Sequence, residues 1–129
     1  RKVLQHIIRN TGNVKEAKVL VMGATFKENV SDIRNSKVAD VVKELKAFSL
    51  NVDITDPYAE SEELNHEYGF ELAAQIANDY DAVIVTVPHN EYKTLDDAYF
   101  ASITKPHAVV ADLKGIYRNK ISSRGYWSL

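Results

Sequence analysis

The sequence predicts a three-layer α/β/α domain, in which helices cover both faces of a mainly parallel sheet. Short and almost continuously apolar runs alternate along the chain with stretches whose apolar residues recur at helical spacing. Strands of that kind are typical of parallel sheets that are buried on both faces, and the β-α-β-α-β-α-β order favours the same class. The chain has 129 residues, 45% of them hydrophobic, which suits one domain with a full core.

The first third of the chain is predicted to contain a helix, a strand and a second helix. Apolar spacing over residues 2–9 predicts the end of a helix, which residues 11–13 break. Residues 18–22 form a compact apolar run and are predicted to be a buried strand. Ser36 is a candidate N-cap for a helix whose apolar positions continue at helical spacing as far as Phe48.

The middle of the chain is predicted to add one strand and one short helix. Residues 51–55 are predicted to be a strand that ends at Asp56-Pro57. Residues 58–69 are rich in glutamate, and we expect them to be irregular and exposed. Residues 71–78 have the apolar spacing of a short helix.

The last third of the chain is predicted to complete the sheet. Residues 82–87 give the strongest strand signal in the sequence, and Pro88 ends it. Residues 94–102 are predicted to be a short helix, and residues 107–111 another strand. Residues 125–129 are predicted to add a final strand.

The bulk composition excludes several classes of function. A net charge of -2 argues against a general nucleic-acid or membrane-surface binder. The absence of cysteine removes disulfides, thiolate metal sites and a cysteine nucleophile from this chain. No apolar run approaches the roughly 20 residues that span a bilayer. The first residue is not methionine, and we expect the chain to be a fragment of a cytosolic protein.

The loop after the first predicted strand is the strongest candidate for a binding site. It joins Gly23 to the predicted helix at Ser36 and carries Lys27 and Arg34. Loops at the carboxyl ends of parallel strands that lead into helices are where such sheets bind anions. One glycine is too few for a dinucleotide fingerprint, and no Gly-Lys-Ser/Thr follows, so this is not a P-loop.

Polar residues at the other predicted strand ends should meet this loop at one edge of the sheet. That edge suits a phosphate or diphosphate, with a ring of Phe26 or Tyr58 available to a base. The residues expected there, besides Phe26, Lys27, Asp32 and Arg34, are Asp56, Pro57, Tyr58, Pro88, His89, Asn90, Glu91, Asp112 and Lys114.

Each of these residues also has a purely structural interpretation. Lys27 could be a solvated loop lysine, and Arg34 could form a local ion pair with Asp32 that braces the loop without excluding a ligand. Asp112 could cap the turn that follows it. His89 is more often structural in such a turn than catalytic. The other three histidines show no metal-ligand spacing, so we expect no metal site, and no serine sits at a nucleophile elbow.

Four ordered segments resemble one family. They are Val-Met-Gly-Ala-Thr-Phe-Lys-Glu-Asn-Val-Ser-Asp-Ile-Arg-Asn-Ser, Asp-Pro-Tyr, Asp-Ala-Val-Ile-Val-Thr-Val-Pro-His-Asn-Glu-Tyr and Val-Ala-Asp-Leu-Lys-Gly. Together they resemble the C-terminal, UDP-binding domain of the UDP-glucose/GDP-mannose (nucleotide-sugar) 6-dehydrogenases. The amino-acid sequence of the first segment is most similar to the bacterial branch that acts on UDP-N-acetylhexosamines. The similarity extends from Lys18 to the end of the chain, with residues 1–12 resembling the tail of a linker helix and residues 13–129 the domain itself.

The resemblance implies a Rossmann-like domain that closes over the nucleotide of a UDP-sugar. Such enzymes oxidise the C6 hydroxyl of the sugar to a carboxylate with two molecules of NAD, and bacteria use the products for surface polysaccharide. NAD is held mainly by an N-terminal domain, and the catalytic cysteine lies in a central region. We therefore expect no catalytic residue here, and an inactive isolated chain. The parent enzyme would be a cytoplasmic homodimer that binds neither nucleic acid nor membrane.

The resemblance also assigns roles to four residues. Phe26 and Lys27 correspond to a substrate-binding Phe-Lys pair, and Arg34 to an arginine that reaches across the cleft to NAD. Lys114 corresponds to a basic residue, often arginine, that contacts the substrate nucleotide. Here the family's Asp-Gly-Arg pattern is replaced by Asp-Leu-Lys, and lysine supplies a point charge where arginine would supply a bidentate fork.

Two other classes of function are alternatives to an enzyme fragment. The chain could be a stand-alone nucleotide-binding regulatory module that catalyses nothing. A receiver-type signalling domain is disfavoured, because Gly23, Ala24 and Thr25 stand at the first strand end where an acidic cluster would be needed. A Rossmann fingerprint and a central cysteine motif in the coding sequence upstream would distinguish the enzyme from the regulatory module.

Overall fold

The computed structural model describes residues 17–48 and 51–129. The helix predicted over residues 2–9 and the domain boundary predicted after residue 12 lie outside the described residues. The elements follow one another as β1 (Lys18–Met22), α1 (Val38–Ala47), β2 (Asn51–Thr55), α2 (Ser61–Tyr68), β3 (Tyr80–Val85), α3 (Asn90–Lys93), α4 (Asp97–Ile103), β4 (Thr104–Asp112) and β5 (Gly125–Ser128).

All five strands form one parallel sheet in the order β2-β1-β3-β4-β5. Because successive residues of a strand point to opposite faces, β1 supplies Val19 and Val21 to one face and Leu20 and Met22 to the other. All four side chains are buried, as the near-continuous apolar run predicted. The prediction of a parallel sheet buried on both faces is confirmed.

Helices pack against each face and form two separate cores. On one face, α1 contributes Val38, Val42 and Leu45, and α2 contributes Leu64. On the other face, the contributors from helices and the loop after β4 are Tyr92, Phe100, Ile103 and Tyr117. Full burial of a large apolar side chain is worth roughly 1.5–3 kcal/mol, so both cores are needed to hold the three layers together. No helix among the described residues is both long and apolar enough to cross a membrane.

The strands lie close to their predicted positions, with shifted ends. β1 and β2 have the predicted bounds. β3 begins at Tyr80 and ends at Val85, two residues before the predicted limits, because Tyr80 and Asp81 already lie in the sheet. β4 is longer than the predicted 107–111 and starts at Thr104. β5 confirms the strand expected at residues 125–129.

The prediction that residues 58–69 are irregular is wrong, because this acidic stretch contains α2. Leu64 is completely buried, and the helix ends at Gly69, which adopts a left-handed φ of 81°. The glutamates around Leu64 are exposed, as predicted. The buried Leu64, together with Tyr68 packed against the same core, therefore anchors a helix whose composition suggests a loop.

The prediction of a helix at residues 71–78 is wrong, since the chain is irregular there. Its backbone N–H groups bond to other parts of the fold instead of to the preceding turn. Leu72 N–H donates to the hydroxyl of Ser61 (2.9 Å), and Ala73 N–H donates to the carbonyl of Ile54 (2.8 Å). Ala77 N–H donates to the hydroxyl of Tyr80 (3.1 Å). These tertiary partners replace the helical ones, which the local apolar spacing could not reveal.

Two helix starts also differ from the prediction. α1 has Lys37 at its N-cap, although the predicted cap, Ser36, still accepts the N–H of Val38 at 3.3 Å. The helix predicted over 94–102 begins later, because Asp96 caps it by accepting the N–H of Tyr99 at 2.9 Å. The short helix α3 precedes it and was not predicted.

Candidate functional site

The strand order creates a crevice at the carboxyl ends of β1 and β3. The chain leaves β1 toward β2 on one side, whereas β3 flanks β1 on the other side. Such a reversal of direction, a topological switch point, is where ligands bind in open parallel sheets. The loop predicted to carry the site, from Gly23 to Ser36, lies at this crevice and faces the segment that follows β3.

Gly23 is where this loop leaves the sheet. Its φ is +112°, a conformation that side chains rarely adopt, and its N–H donates to the carbonyl of Thr55 at 2.8 Å. A Cβ atom there would lie 2.7 Å from Thr86 Oγ1 and 2.8 Å from Val87 Cβ. The protein's own chain therefore fills the space above this glycine, so the turn offers no open cradle for a dinucleotide pyrophosphate.

Internal hydrogen bonds fix the loop beyond Gly23. The N–H of Phe26 donates to the carbonyl of Asp32 at 2.7 Å, and the hydroxyl of Thr25 donates to the carbonyl of Lys27 at 2.8 Å. Thr25 is buried, whereas Phe26 and Lys27 are exposed. The loop thus presents a phenyl ring and an amino group on a braced backbone.

A cleft of about 410 Å³ opens beside this loop at the carboxyl edge of the sheet. Phe26, which is 53% exposed, lines this cleft together with two cationic residues, Lys37 and Lys114. A ring face with two cations can hold a planar base and a phosphate group. The cleft is lined by Thr25, Phe26, Asn35, Lys37, Val38, Val41, Thr86, Val87, Leu113, Lys114 and Leu129.

A buried carboxylate sets the position of Lys114. Asp112 ends β4 and is fully buried, where it accepts the N–H of Ile116 (3.2 Å) and of Tyr117 (2.7 Å). The hydroxyl of Tyr126 donates to it as well (2.5 Å), and burial together with this carboxylate raises the pKa of Tyr126 to about 12. Asp112 therefore caps the turn that carries Lys114, which agrees with the structural interpretation of this residue from the sequence.

Arg34 forms the predicted ion pair with Asp32. Its Nε and Nη2 donate to the two carboxylate oxygens at 3.0 and 3.1 Å. The same hydrogen bonds lower the pKa of Asp32 and raise that of Arg34. The Arg34 side chain is 79% exposed and lines a second groove, whose other lining residues are Ile33, Glu60, Glu62, Glu63, His66 and Glu67.

The structure brings together only part of the predicted set. Phe26 and Lys114 share one cleft, while Lys27 and Arg34 are not among the described residues that line it. Lys37 lines the cleft and was not predicted. Its signal was its position, directly after the candidate cap Ser36, where a helix begins at the edge of the crevice.

His89 lies beneath the crevice and does not line the cleft. It is fully buried, and its Nε2 lies 2.8 Å from Oδ2 of the buried Asp56. Tyr58 also turns away from the cleft, because its hydroxyl donates to Glu91 at 2.8 Å. Within residues 17–48 and 51–129, no group of three acidic, histidine or cysteine side chains is placed to hold a metal ion.

Known proteins resemble this chain in sequence. Residues 20–119 match the family described as the UDP-glucose/GDP-mannose dehydrogenase family, UDP binding domain. A UDP-N-acetyl-D-glucosamine 6-dehydrogenase of Salmonella typhi is 40% identical over 114 residues, which is 88% of this chain and 27% of that protein. Protein CapL of Staphylococcus aureus is 35% identical over 115 residues, again 88% and 27%. The chain thus spans about a quarter of the length of these relatives.

Solved structures resemble it in fold. The UDP-N-acetyl-mannosamine dehydrogenase Cap5O from S. aureus superposes with a TM-score of 0.74 at 27% identity, over 97% of this chain and 28% of that one. A UDP-D-ManNAc dehydrogenase from Pyrococcus horikoshii superposes with a TM-score of 0.76 at 18% identity, over 98% of this chain and 29% of that one. At this identity the match supports the Rossmann-like fold alone. The segment matched by the family, residues 20–119, contains the loop after β1, Asp56, His89 and Lys114. This chain therefore belongs to the UDP-glucose/GDP-mannose dehydrogenase family, as its UDP-binding domain.

Proposed function

We propose that this chain binds the nucleotide half of a UDP-sugar for an NAD-dependent nucleotide-sugar 6-dehydrogenase, which oxidises the sugar C6 hydroxyl to a carboxylate. The observation that carries the proposal is the cleft that unites Phe26, Lys37 and Lys114 at the switch point of a domain from the UDP-binding family. Uracil needs a flat apolar surface and the diphosphate needs cations, and this cleft offers both within about 410 Å³.

Four residues have distinct roles in this proposal. Phe26 covers one side of the uridine and excludes water, and Lys27 beside it donates to uracil or diphosphate oxygens. Lys114 neutralises the diphosphate as a mobile point charge, where a guanidinium would bind two oxygens at fixed angles. Lys37 adds a second cation at the N-cap of α1, where the helix dipole also favours an anion.

NAD is bound mainly by another part of the parent enzyme. NAD, when bound, accepts the hydride that leaves C6. The described residues do not fit a principal dinucleotide site, because Thr86 and Val87 fill the space above Gly23. What this chain offers is the guanidinium of Arg34, exposed outside the nucleotide cleft and held in one orientation by Asp32. Arg34 would contact the cofactor across the gap between two domains.

The parent protein would contain further domains and act in the cytoplasm. Its N-terminal and central domains would supply the NAD site and the catalytic cysteine, and it would function as a homodimer. The names of two relatives, a UDP-N-acetyl-D-glucosamine 6-dehydrogenase and a UDP-N-acetyl-mannosamine dehydrogenase, favour a UDP-N-acetylhexosamine as substrate. The product would be a uronic acid precursor of bacterial surface polysaccharide.

We expect the 129-residue chain to bind UDP and to reduce no NAD with any UDP-sugar, because it has no cysteine to carry the covalent step. Calorimetric titration with UDP and absorbance of NADH measure the two properties. Turnover by the purified chain would contradict the assignment of the chemistry to another domain. Failure of the chain to bind UDP would contradict the proposed function itself.

Replacement of Arg34 by alanine in the full-length protein should raise the KM for NAD more than the KM for the sugar nucleotide. The reason is that Arg34 lies outside the cleft lined by Phe26 and Lys114. Steady-state kinetics with each substrate varied in turn measure the split. Lys37→Ala serves as the matched control, for which the larger change should be in the KM for the sugar nucleotide. A change confined to the sugar nucleotide would move Arg34 to the substrate side.

Replacement of Lys27 by alanine should weaken UDP binding roughly 10- to 100-fold, as expected for loss of a charge-assisted hydrogen bond. The melting temperature should hardly change, because Lys27 is exposed and contributes little to the core. Calorimetry and a thermal melt test both halves. Unchanged affinity would make Lys27 a solvated loop residue, and a large fall in melting temperature would make it structural.

A further inference from the structure

The buried pair formed by Asp56 and His89 lies directly under the loop that carries Phe26 and Lys27. Asp56 follows β2, and His89 precedes α3 at the end of the segment after β3. Both side chains are completely buried, with 2.8 Å between His89 Nε2 and Asp56 Oδ2. Burial of a carboxylate and an imidazole is costly unless both are fully hydrogen-bonded, so their partners define what the pair does.

The hydrogen bonds determine which ring nitrogen of His89 carries the proton. The backbone N–H of Asn29 donates to His89 Nδ1 at 2.9 Å, so Nδ1 is an acceptor and bears no hydrogen. Nε2 must then carry the proton of the neutral ring, and it donates to Asp56 Oδ2. Thr25 Oγ1, at 3.3 Å, accepts from the same N–H, since its own hydrogen is used on Lys27.

The side chain of Asp56 accepts hydrogen bonds from donors on three loops. Its Oδ2 accepts the N–H of Ala24 at 2.6 Å in addition to His89. Its Oδ1 accepts the N–H groups of Tyr58 and Ala59 at 2.7 and 3.0 Å. Every oxygen is thereby satisfied, and the carboxylate joins the end of β1 to the loop after β2.

Asn29 connects the loop after β1 to His89 and Asn90, five residues after the point where Ala24 binds Asp56. Besides its N–H bond to His89, its side-chain Oδ1 accepts the N–H of Asn90 at 2.8 Å. Its φ of 60° is left-handed, a conformation that asparagine tolerates better than most residues. The first turn of α3 and the β1 loop are therefore joined at two points.

We propose that Asp56 and His89 are positioning residues that clamp the segment from Ala24 to Asn29. Asp56 holds its first residue and His89 holds its last, and the exposed Phe26 and Lys27 lie between the two fixed ends. A segment fixed at both ends presents its ring and its amino group without paying the entropy of ordering them on binding. This inference rests on the proposed function, because it assigns the clamp to UDP binding.

Two substitutions of His89 separate its hydrogen bond with Asn29 from its hydrogen bond with Asp56. His89→Gln places an amide N–H donor near the position of Nε2 and keeps the bond to Asp56, but it removes the acceptor for Asn29. His89→Asn places an amide oxygen near the position of Nδ1 and keeps that acceptor, but it removes the donor to Asp56. His89→Gln loses a part-buried hydrogen bond and His89→Asn loses a buried one, so a merely structural role would lower the stability of both variants without separating their affinities for UDP.

We expect His89→Gln to bind UDP about 3- to 10-fold more weakly than wild type, with faster hydrogen exchange at the amide of Asn29. His89→Asn should retain an affinity close to that of wild type and a protected Asn29 amide. Calorimetry with UDP, amide exchange by NMR and urea denaturation of the 129-residue chain supply these values. Equal affinities in the two variants would overturn the clamp.

The imidazole itself gives a test that needs no nucleotide. Nitrogen-15 NMR of His89 in the wild-type chain should show the neutral tautomer with its proton on Nε2. The Nδ1–H tautomer, or an Asn29 amide that exchanges as fast as those of exposed loops, would overturn the clamp even if UDP binds. Failure of the wild-type chain to bind UDP, with the tautomer and the Asn29 protection as expected, would instead overturn the proposed function and with it the role assigned to the clamp.

Discussion

Replacement of Gly23 by alanine is expected to destabilise the domain by roughly 3 kcal/mol or more. The added methyl group would lie 2.7 Å from Thr86 Oγ1 and 2.8 Å from the backbone N of Val87, and the backbone would be strained at a φ of +112°. Overpacking of a tight site costs about 1–3 kcal/mol, and a side chain in a left-handed conformation adds about 1–2 kcal/mol. The free energy of unfolding, measured by urea denaturation, tests this value.

Gly69 provides the matched control. It also has a positive φ, 81°, at the end of α2, but a Cβ there would meet nothing within 4 Å. Gly69→Ala should therefore show the conformational strain alone, about 1 kcal/mol. Equal losses of stability in the two variants would show that close packing above Gly23 contributes nothing. In Gly23→Ala we also expect weaker UDP binding, since relief of the contact must move either the β1 loop or the segment after β3.

Replacement of Asp112 by alanine is expected to destabilise the domain by about 3 kcal/mol and to weaken UDP binding. Two backbone N–H groups, of Ile116 and Tyr117, and the hydroxyl of Tyr126 would lose a buried charged acceptor. Hydrogen bonds to charged groups contribute about 1.5–3 kcal/mol each, and part of the loss is recovered where water enters. Against a typical total stability of about 5–15 kcal/mol, this is a large fraction.

Asp96 is the control for this second prediction. It is exposed and caps α4 through one bond, from the N–H of Tyr99. Asp96→Ala should cost about 1 kcal/mol and leave UDP affinity unchanged, because its cap bond lies within α4 and Asp96 does not line the cleft. If Asp112→Ala proved as mild as Asp96→Ala, the buried cap would not hold the turn. If Asp112→Ala were destabilised but bound UDP with unchanged affinity, the turn that carries Lys114 would not contribute to nucleotide binding.

Much of the candidate site was predictable because it follows strand ends. Phe26, Lys27, Arg34 and Lys114 were identified from their positions after apolar runs, and the structure places each at the carboxyl edge of the sheet. Their grouping was not predictable in detail. Arg34 turns toward Asp32 and a separate groove, and Lys37 joins Phe26 and Lys114 in the cleft. Side-chain direction depends on local hydrogen bonds, which strand order does not specify.

The errors in secondary structure have a common physical cause. Residues 71–78 have helical spacing but bond their N–H groups to Ile54, Ser61 and Tyr80. The acidic stretch forms α2 because the fold offers a buried place for Leu64. In each case a distant part of the chain outweighed a local preference of a few tenths of a kcal/mol per residue.

The sequence by itself determined the class of fold, the order of the strands along the chain and the family, and it indicated the edge of the sheet where the polar loop residues gather. Periodic burial and strand-end chemistry are local properties, so they can be recognised without knowing what packs against them. Only the tertiary structure decided that Asp56 and His89 form a buried pair, that Asp112 caps the turn of Lys114 and that Lys37 enters the cleft. The Asp56–His89 and Asp112–Tyr126 hydrogen bonds join residues 33 and 14 positions apart, and Lys37 shares its cleft with Lys114, so the local sequence does not reveal these contacts. Their energy comes from burial and mutual hydrogen bonding, which exist only once the loops have been brought together at the edge of the sheet.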